Sequence, residues 1–188
     1  MFSAVGTVDD ILTTDETRAN FRVLVTGVGN VLRQDDGFGI AVLQHLAVRG
    51  GLPPGTRLLE TGIAGIRMVQ ELMEGYDALI VVDIMQRAGA PGQVFVLEAD
   101  VPDPRDLAFD ARNEFLADMH YTNPTRAMML AKALDKLPKR SYVVACIPVR
   151  HDGFEIGMSH EVTQAVALAA DKILELIKWM SLSEPTHN

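Results

Sequence analysis

The chain has 188 residues, 25 of them acidic and 17 basic, for a formal net charge of −8. At roughly 100–200 residues per domain it is one domain, long enough to bury a core without staples. Its 48% hydrophobic and 22% charged residues exclude global disorder and a collagen-like chain, and the acid excess sets nucleic acid and anionic membranes aside as main partners.

Residues 1–20 carry Asp9, Asp10, Asp15 and Glu16 and no basic start followed by an apolar run. They read as a polar extension, not a secretory leader. A single α/β domain is expected over 21–180, with 181–188 as a polar tail. Phe21–Thr26 reads as a buried strand. Phe38–Val48 has apolar residues at helical spacing. Thr56–Glu60 is a second strand and Ile66–Met73 a second helix. Ala78–Asp83, the most apolar run, is placed at the sheet centre. Gln93–Leu97 is a fourth strand, Pro124–Leu137 a helix with proline in its first turn, Ser141–Ile147 a fifth strand and His160–Trp179 a long amphipathic helix.

Alternating strands and helices predict a three-layer α/β fold, a mostly parallel twisted sheet of about five strands with helices on both faces. One connection breaks the alternation. Only Ile84–Gly92, with Gly89, Pro91 and Gly92, separates the third strand from the fourth. A parallel crossover needs about a dozen residues. The fourth strand is therefore expected to run antiparallel at an edge. The helix-poor stretch Glu98–Met119 must then climb back, and loops of that length are usually functional.

Ligands of open α/β sheets sit beyond the carboxyl ends of the strands. The loop Gly27-Val28-Gly29-Asn30-Val31-Leu32-Arg33-Gln34-Asp35-Asp36-Gly37-Phe38-Gly39 lies there. It is not a dinucleotide fingerprint, because Leu32 stands at the third glycine position and two carboxylates occupy the place of a pyrophosphate. Of Asp35 and Asp36, one is expected to cap the following helix while the other faces the cleft; both as caps or solvated charges is the competing reading. Asp83, ending an apolar strand, needs a partner, either N–H groups of the next turn or a metal. His120 stands before the next helix. Two carboxylates and an imidazole suit nickel, zinc or iron.

The single cysteine, Cys146, excludes an internal disulfide and suits a reducing, cytoplasmic setting; within a strand it is expected to be buried and inert. Met128-Met129 is expected to fill core, Trp179 to anchor the last helix, and His151, His160 and His187 to face solvent. No exposed apolar stripe stands out, which points to a monomer.

The Gly27–Gly39 motif resembles the opening signature of the hydrogenase maturation endopeptidases. The resemblance continues through Glu60–Gly65, Leu79–Ile84, Ala90–Val94, His120–Leu134 and Val143–Pro148, in order, from Val23 to about Ile177. It implies an endopeptidase that clips the C-terminal extension from the precursor of a nickel–iron hydrogenase large subunit after nickel insertion. The family's triad falls on Asp36, Asp83 and His120, as metal contacts, with Asp36 and Asp83 also as catalytic carboxylates. The nickel it implies is a recognition element carried by the substrate. Many relatives have glutamate at Asp36 and an acidic-Gly-Gly-Thr motif where this chain has Glu60-Thr61-Gly62-Ile63. A competing alignment puts Asn123 in the place of His120. The alternative class is a non-catalytic nucleotide-binding or assembly-factor α/β module.

Overall fold

A computed structural model describes residues 21–62, 65–108 and 123–183. Its strands are β1 (Val23–Val28), β2 (Thr56–Gly62), β3 (Ala78–Ile84), β4 (Val94–Glu98) and β5 (Arg140–Cys146). Its helices are α1 (Phe38–Arg49), α2 (Ile66–Leu72), α3 (Pro124–Ala133) and α4 (His160–Leu182). The sheet order is β2-β1-β3-β5-β4, so β3 is central, as its apolar run requires.

β1 pairs in parallel with β2 and β3, and β3 with β5. β4 pairs antiparallel with β5 at the edge, from Val94 opposite Cys146 to Glu98 opposite Tyr142. The short connection after β3 is what forces this. It stays on β5, where Met85 N–H donates to the Cys146 carbonyl and Gly92 N–H to that of Ile147, both at 2.8 Å.

Alternation along the strands divides the core. Val23, Val25, Ile80 and Val82 face α1 and α4, packing on Phe38, Leu43, Ile173 and Ile177. Leu24, Leu79 and Val81 face α2 and α3, packing on Met68, Leu72, Ala127 and Met128. The three layers are thus as expected, and Met128 fills core.

Two expectations at the last helix change. α4 runs through Leu182, past the boundary set at 180. Its buried anchors near that end are Ile177 and Met180, while Trp179 is 56% exposed, its ring in a T-shaped contact with that of Tyr142. Trp179 stands on the outer side of the helix because the inward positions there are already taken by those two residues. Among the described residues, no helix is long and apolar enough to cross a membrane. The climbing stretch is described only to residue 108, where Val101 is buried against α2 and α3. His120, Ile63 and His187 lie outside the described residues.

Candidate functional site

The site begins where α1 is pressed onto the carboxyl ends of β1 and β3. A Cβ on Gly39 would fall 2.3 Å from the Val82 carbonyl oxygen and 2.4 Å from that of Val28. Only glycine permits that approach. It brings the turn before α1 beside the end of β3, where Asp83 stands. Gly29, at φ +127°, performs the same service inside the loop, since a Cβ there would lie 1.8 Å from the Asp36 carbonyl oxygen. These glycines let backbone meet backbone, which accounts for the glycine-rich loop.

The two adjacent aspartates divide their work differently from expectation. Neither caps α1, whose N-cap is Gly37 with no side-chain bond. Asp35 is 0% exposed. Its carboxylate accepts from Val149 N–H and Arg150 N–H (each 2.9 Å), Ser159 N–H (2.6 Å) and the Ser159 hydroxyl (3.1 Å). It ties the loop after β5 and the start of α4 to the β1 loop. Burial opposes its ionisation, but the donors of Arg150, Ser159 and Val149 outweigh burial and hold its pKa below the ordinary value.

Asp36 is half-buried, and its Oδ2 accepts the Asn30 N–H at 2.9 Å. Among the described residues its other oxygen takes no hydrogen bond. Gln34, just before the pair, has φ 55°, a left-handed conformation costly for a side-chain-bearing residue. Its backbone N–H donates to the Glu155 carbonyl (3.0 Å) and its Nε2 to Glu155 Oε2 (3.0 Å), which hold it there.

Asp83 accepts the Ile84 N–H at 2.7 Å on Oδ1. The turn-acceptor reading is therefore met in part, by one donor. It does not neutralise the carboxyl. Burial pushes the Asp83 pKa up to about 7, and the negative charge of Asp36 adds to the push against the pull of Ile84. The two carboxylates thus feel each other's charge at one edge of the sheet.

Other residues at this edge have defined duties. The Thr61 hydroxyl donates to the Gly27 carbonyl (3.1 Å) and accepts from Thr26, tying β2 to β1. Asn123 Oδ1 accepts the Arg126 N–H at 2.9 Å as the N-cap of α3, so that oxygen is committed to the helix start. His151, expected in solvent, is half-buried: Gln86 contacts its Nε2, and its Nδ1 lies 3.1 Å from Asp152. Its expected exposure fails because the loop after β5 folds back on the loop after β3, a contact no local pattern announces. Cys146 is buried as expected, and burial, with the charge of Asp35 behind it, pushes its thiol up to about 12. Among the described residues no three His, Cys, Asp or Glu side chains converge on a metal position.

A family model described as hydrogenase maturation protease matches residues 40–176. The chain belongs to that family. It is 31% identical over 160 residues to the hydrogenase expression/formation protein HupD of Rhodobacter capsulatus, covering 84% of this chain and 72% of that one. It is 27% identical to the hydrogenase 2 maturation protease of Escherichia coli K12, covering 84% and 91%. The crystal structure of a hydrogenase 2 maturation peptidase from a Thaumarchaeota archaeon superposes with a TM-score of 0.58 at 32% identity, over 83% of this chain and 97% of that one. The maturating endopeptidase HybD of Escherichia coli shares the fold, with a TM-score of 0.67 at 24% identity over 85% and 94%. This maturation protease is an enzyme that hydrolyses peptide bonds. The matched span takes in Asp83 and begins just after Asp36.

Proposed function

We propose that this protease removes the C-terminal extension of a nickel–iron hydrogenase large-subunit precursor once nickel is in place, in the cytoplasm, as a monomer. The reading rests on the family and on one observation: a half-buried Asp36 beside a desolvated Asp83 whose pKa is raised to about 7. Asp36 and His120 engage the substrate's nickel, and Asp83 stands by its near ligands, free of the metal when it takes a proton. That contact holds the scissile bond at the cleft, and such positioning lowers a barrier by several kcal/mol.

Cleavage also needs an activated water. A carboxylate with a pKa near working pH is a better general base than an ordinary one, which gives Asp83 that role. The proton taken from water passes to Asp83 and then to the leaving amine. Asp36 keeps a ligand oxygen toward the substrate. The nickel is cargo, and Lewis-acid help to the carbonyl is what it supplies there. The lone buried Cys146 fits a reducing compartment and leaves any thiolate ligands to the precursor.

The test is processing of a nickel-loaded and a nickel-free precursor by the wild-type protein. Shortening of the loaded precursor alone is expected; equal shortening of both would remove nickel from the account.

A further inference from the structure

Five large apolar side chains are exposed beside the site rather than turned into the core: Val31, Leu32, Val149, Phe154 and Ile156. Phe154 is 83% and Ile156 78% exposed. They are not on a loose loop. Glu155 N–H donates to the Leu32 carbonyl (3.0 Å), Gln34 N–H to the Glu155 carbonyl (3.0 Å), and Asp35 N–H to the Arg150 carbonyl (3.1 Å). The segment around 154–156 is stitched to the β1 loop like a short extra ladder, with Arg33 opposite Glu155. Polar pairs rim it, Arg150 with Glu155 at 3.5 Å and Arg33 with Asp152 at 3.9 Å.

A groove adjoins this patch, running between α1 and the 156–158 segment and bordered by the turn that carries Asp36, with Val31, Gln34, Gly37, Ala41, Ile156 and Met158 in its lining. Gly37 adjoins Asp36, and a Cβ on it would lie 3.3 Å from Val31. Apolar surface held rigidly, rimmed by charge and continuous with a site whose substrate is a protein has the makeup of an interface core. Its ordering cost on binding is small, because the loops are already bonded.

We propose that Val31, Leu32, Phe154 and Ile156 form the docking surface for the hydrogenase large-subunit precursor, receiving an apolar segment of it next to the processed extension. This rests on the precursor being the substrate. Binding made here, away from the scissile bond, presents the extension to Asp36 and Asp83. The patch holds and the carboxylates cut, so the two are separable by experiment.

The experiment compares the wild-type protein with Phe154→Ser/Ile156→Ser and with Val48→Ser, which changes a 90% exposed residue on α1 outside this patch. Binding of the nickel-loaded precursor and its processing rate are both measured against precursor concentration. The double substitution is expected to weaken binding and raise KM at least tenfold, with kcat within twofold and an unchanged melting temperature, since both side chains are exposed. Val48→Ser is expected to match wild type. Unchanged KM and binding in the double variant, or an equal loss from Val48→Ser, would overturn the proposal. Self-association of the wild-type protein that the double substitution abolishes would give the patch to a second copy and also overturn it. Patch-dependent binding with no cleavage by wild-type protein would leave the docking surface standing and sink the protease reading alone.

Discussion

Asp35 and Ser159 are 124 positions apart in the chain, yet the Asp35 carboxylate takes both the Ser159 backbone N–H, at 2.6 Å, and its hydroxyl, at 3.1 Å. Ser159 is the N-cap of α4 and makes no local side-chain cap, so a carboxylate from the far side of the sequence does that work. The same carboxylate holds the loop after β5 and stands next to Asp36. It fixes the turn that carries Asp36 from behind.

Asp35→Asn places an amide NH2 among donors that need an acceptor. A loss of about 3 kcal/mol in urea unfolding at pH 7 is expected, from buried N–H groups left without partners. Because the Asp35 pKa is lowered in the folded protein, its contribution is present above the ordinary value of 3.8 and lost as pH falls through the folded pKa. The penalty of Asp35→Asn should therefore shrink in acid. A penalty that is constant from pH 7 to pH 3 would contradict this.

Asp83 has the opposite sign. Its folded pKa of about 7 lies above the ordinary 3.8, so its contribution is fully present below 3.8 and is lost as pH rises through 7. Asp83→Asn keeps an acceptor for Ile84 N–H and cannot ionise. It should be more stable than wild type at pH 8.5, by about 4 kcal/mol, and level with it near pH 4. Thermal melts at the two pH values check it. A carboxylate that costs stability is what the proposed role of Asp83 entails.

Processing by the wild-type protein should climb as Asp83 loses its proton, rising through about pH 7 and levelling above it. Rates at precursor concentrations well below KM, which report ionisations of the free enzyme, give the profile between pH 5.5 and 8.5. A rate that falls steadily over that range would make Asp83 an acid rather than a base.

Cys146, with its thiol pushed up to about 12 inside the sheet, should resist iodoacetamide in the native protein. Labelling to completion is expected only in denaturant, read by mass spectrometry. Rapid native labelling would contradict its burial.

Much of the fold was legible in the sequence, because each element carries its own signal. Period and length marked the strands and helices to within a few residues, and the glycine- and proline-bearing connection Ile84–Gly92 was too short for anything but an antiparallel β4. That Asp36 and Asp83 stand at the same end of the sheet, near enough for one charge to act on the other, was legible too, since Asp36 follows and Asp83 ends strands that run parallel. What stayed hidden depends on partners far along the chain. Nothing local shows that Asp35, not a helix cap, answers donors at 149, 150 and 159. The contact of Gln86 with His151 spans 65 positions and belongs to loop packing, not to periodicity. The apolar patch has no local signature, because its members lie on two loops that meet only in the fold, through backbone bonds and the Gln34–Glu155 and Arg33–Asp152 contacts.

The central claim is that Asp36 and Asp83 together run the site. Single-turnover cleavage of nickel-loaded precursor by wild-type, Asp36→Asn and Asp83→Asn proteins, each shown to be folded by its melting temperature, tests it most directly. The account predicts a loss of at least about 100-fold for each variant, the usual scale for removing a general base, with Asp83→Asn losing activity while gaining stability above pH 7. Cleavage by either variant at the wild-type rate would contradict it.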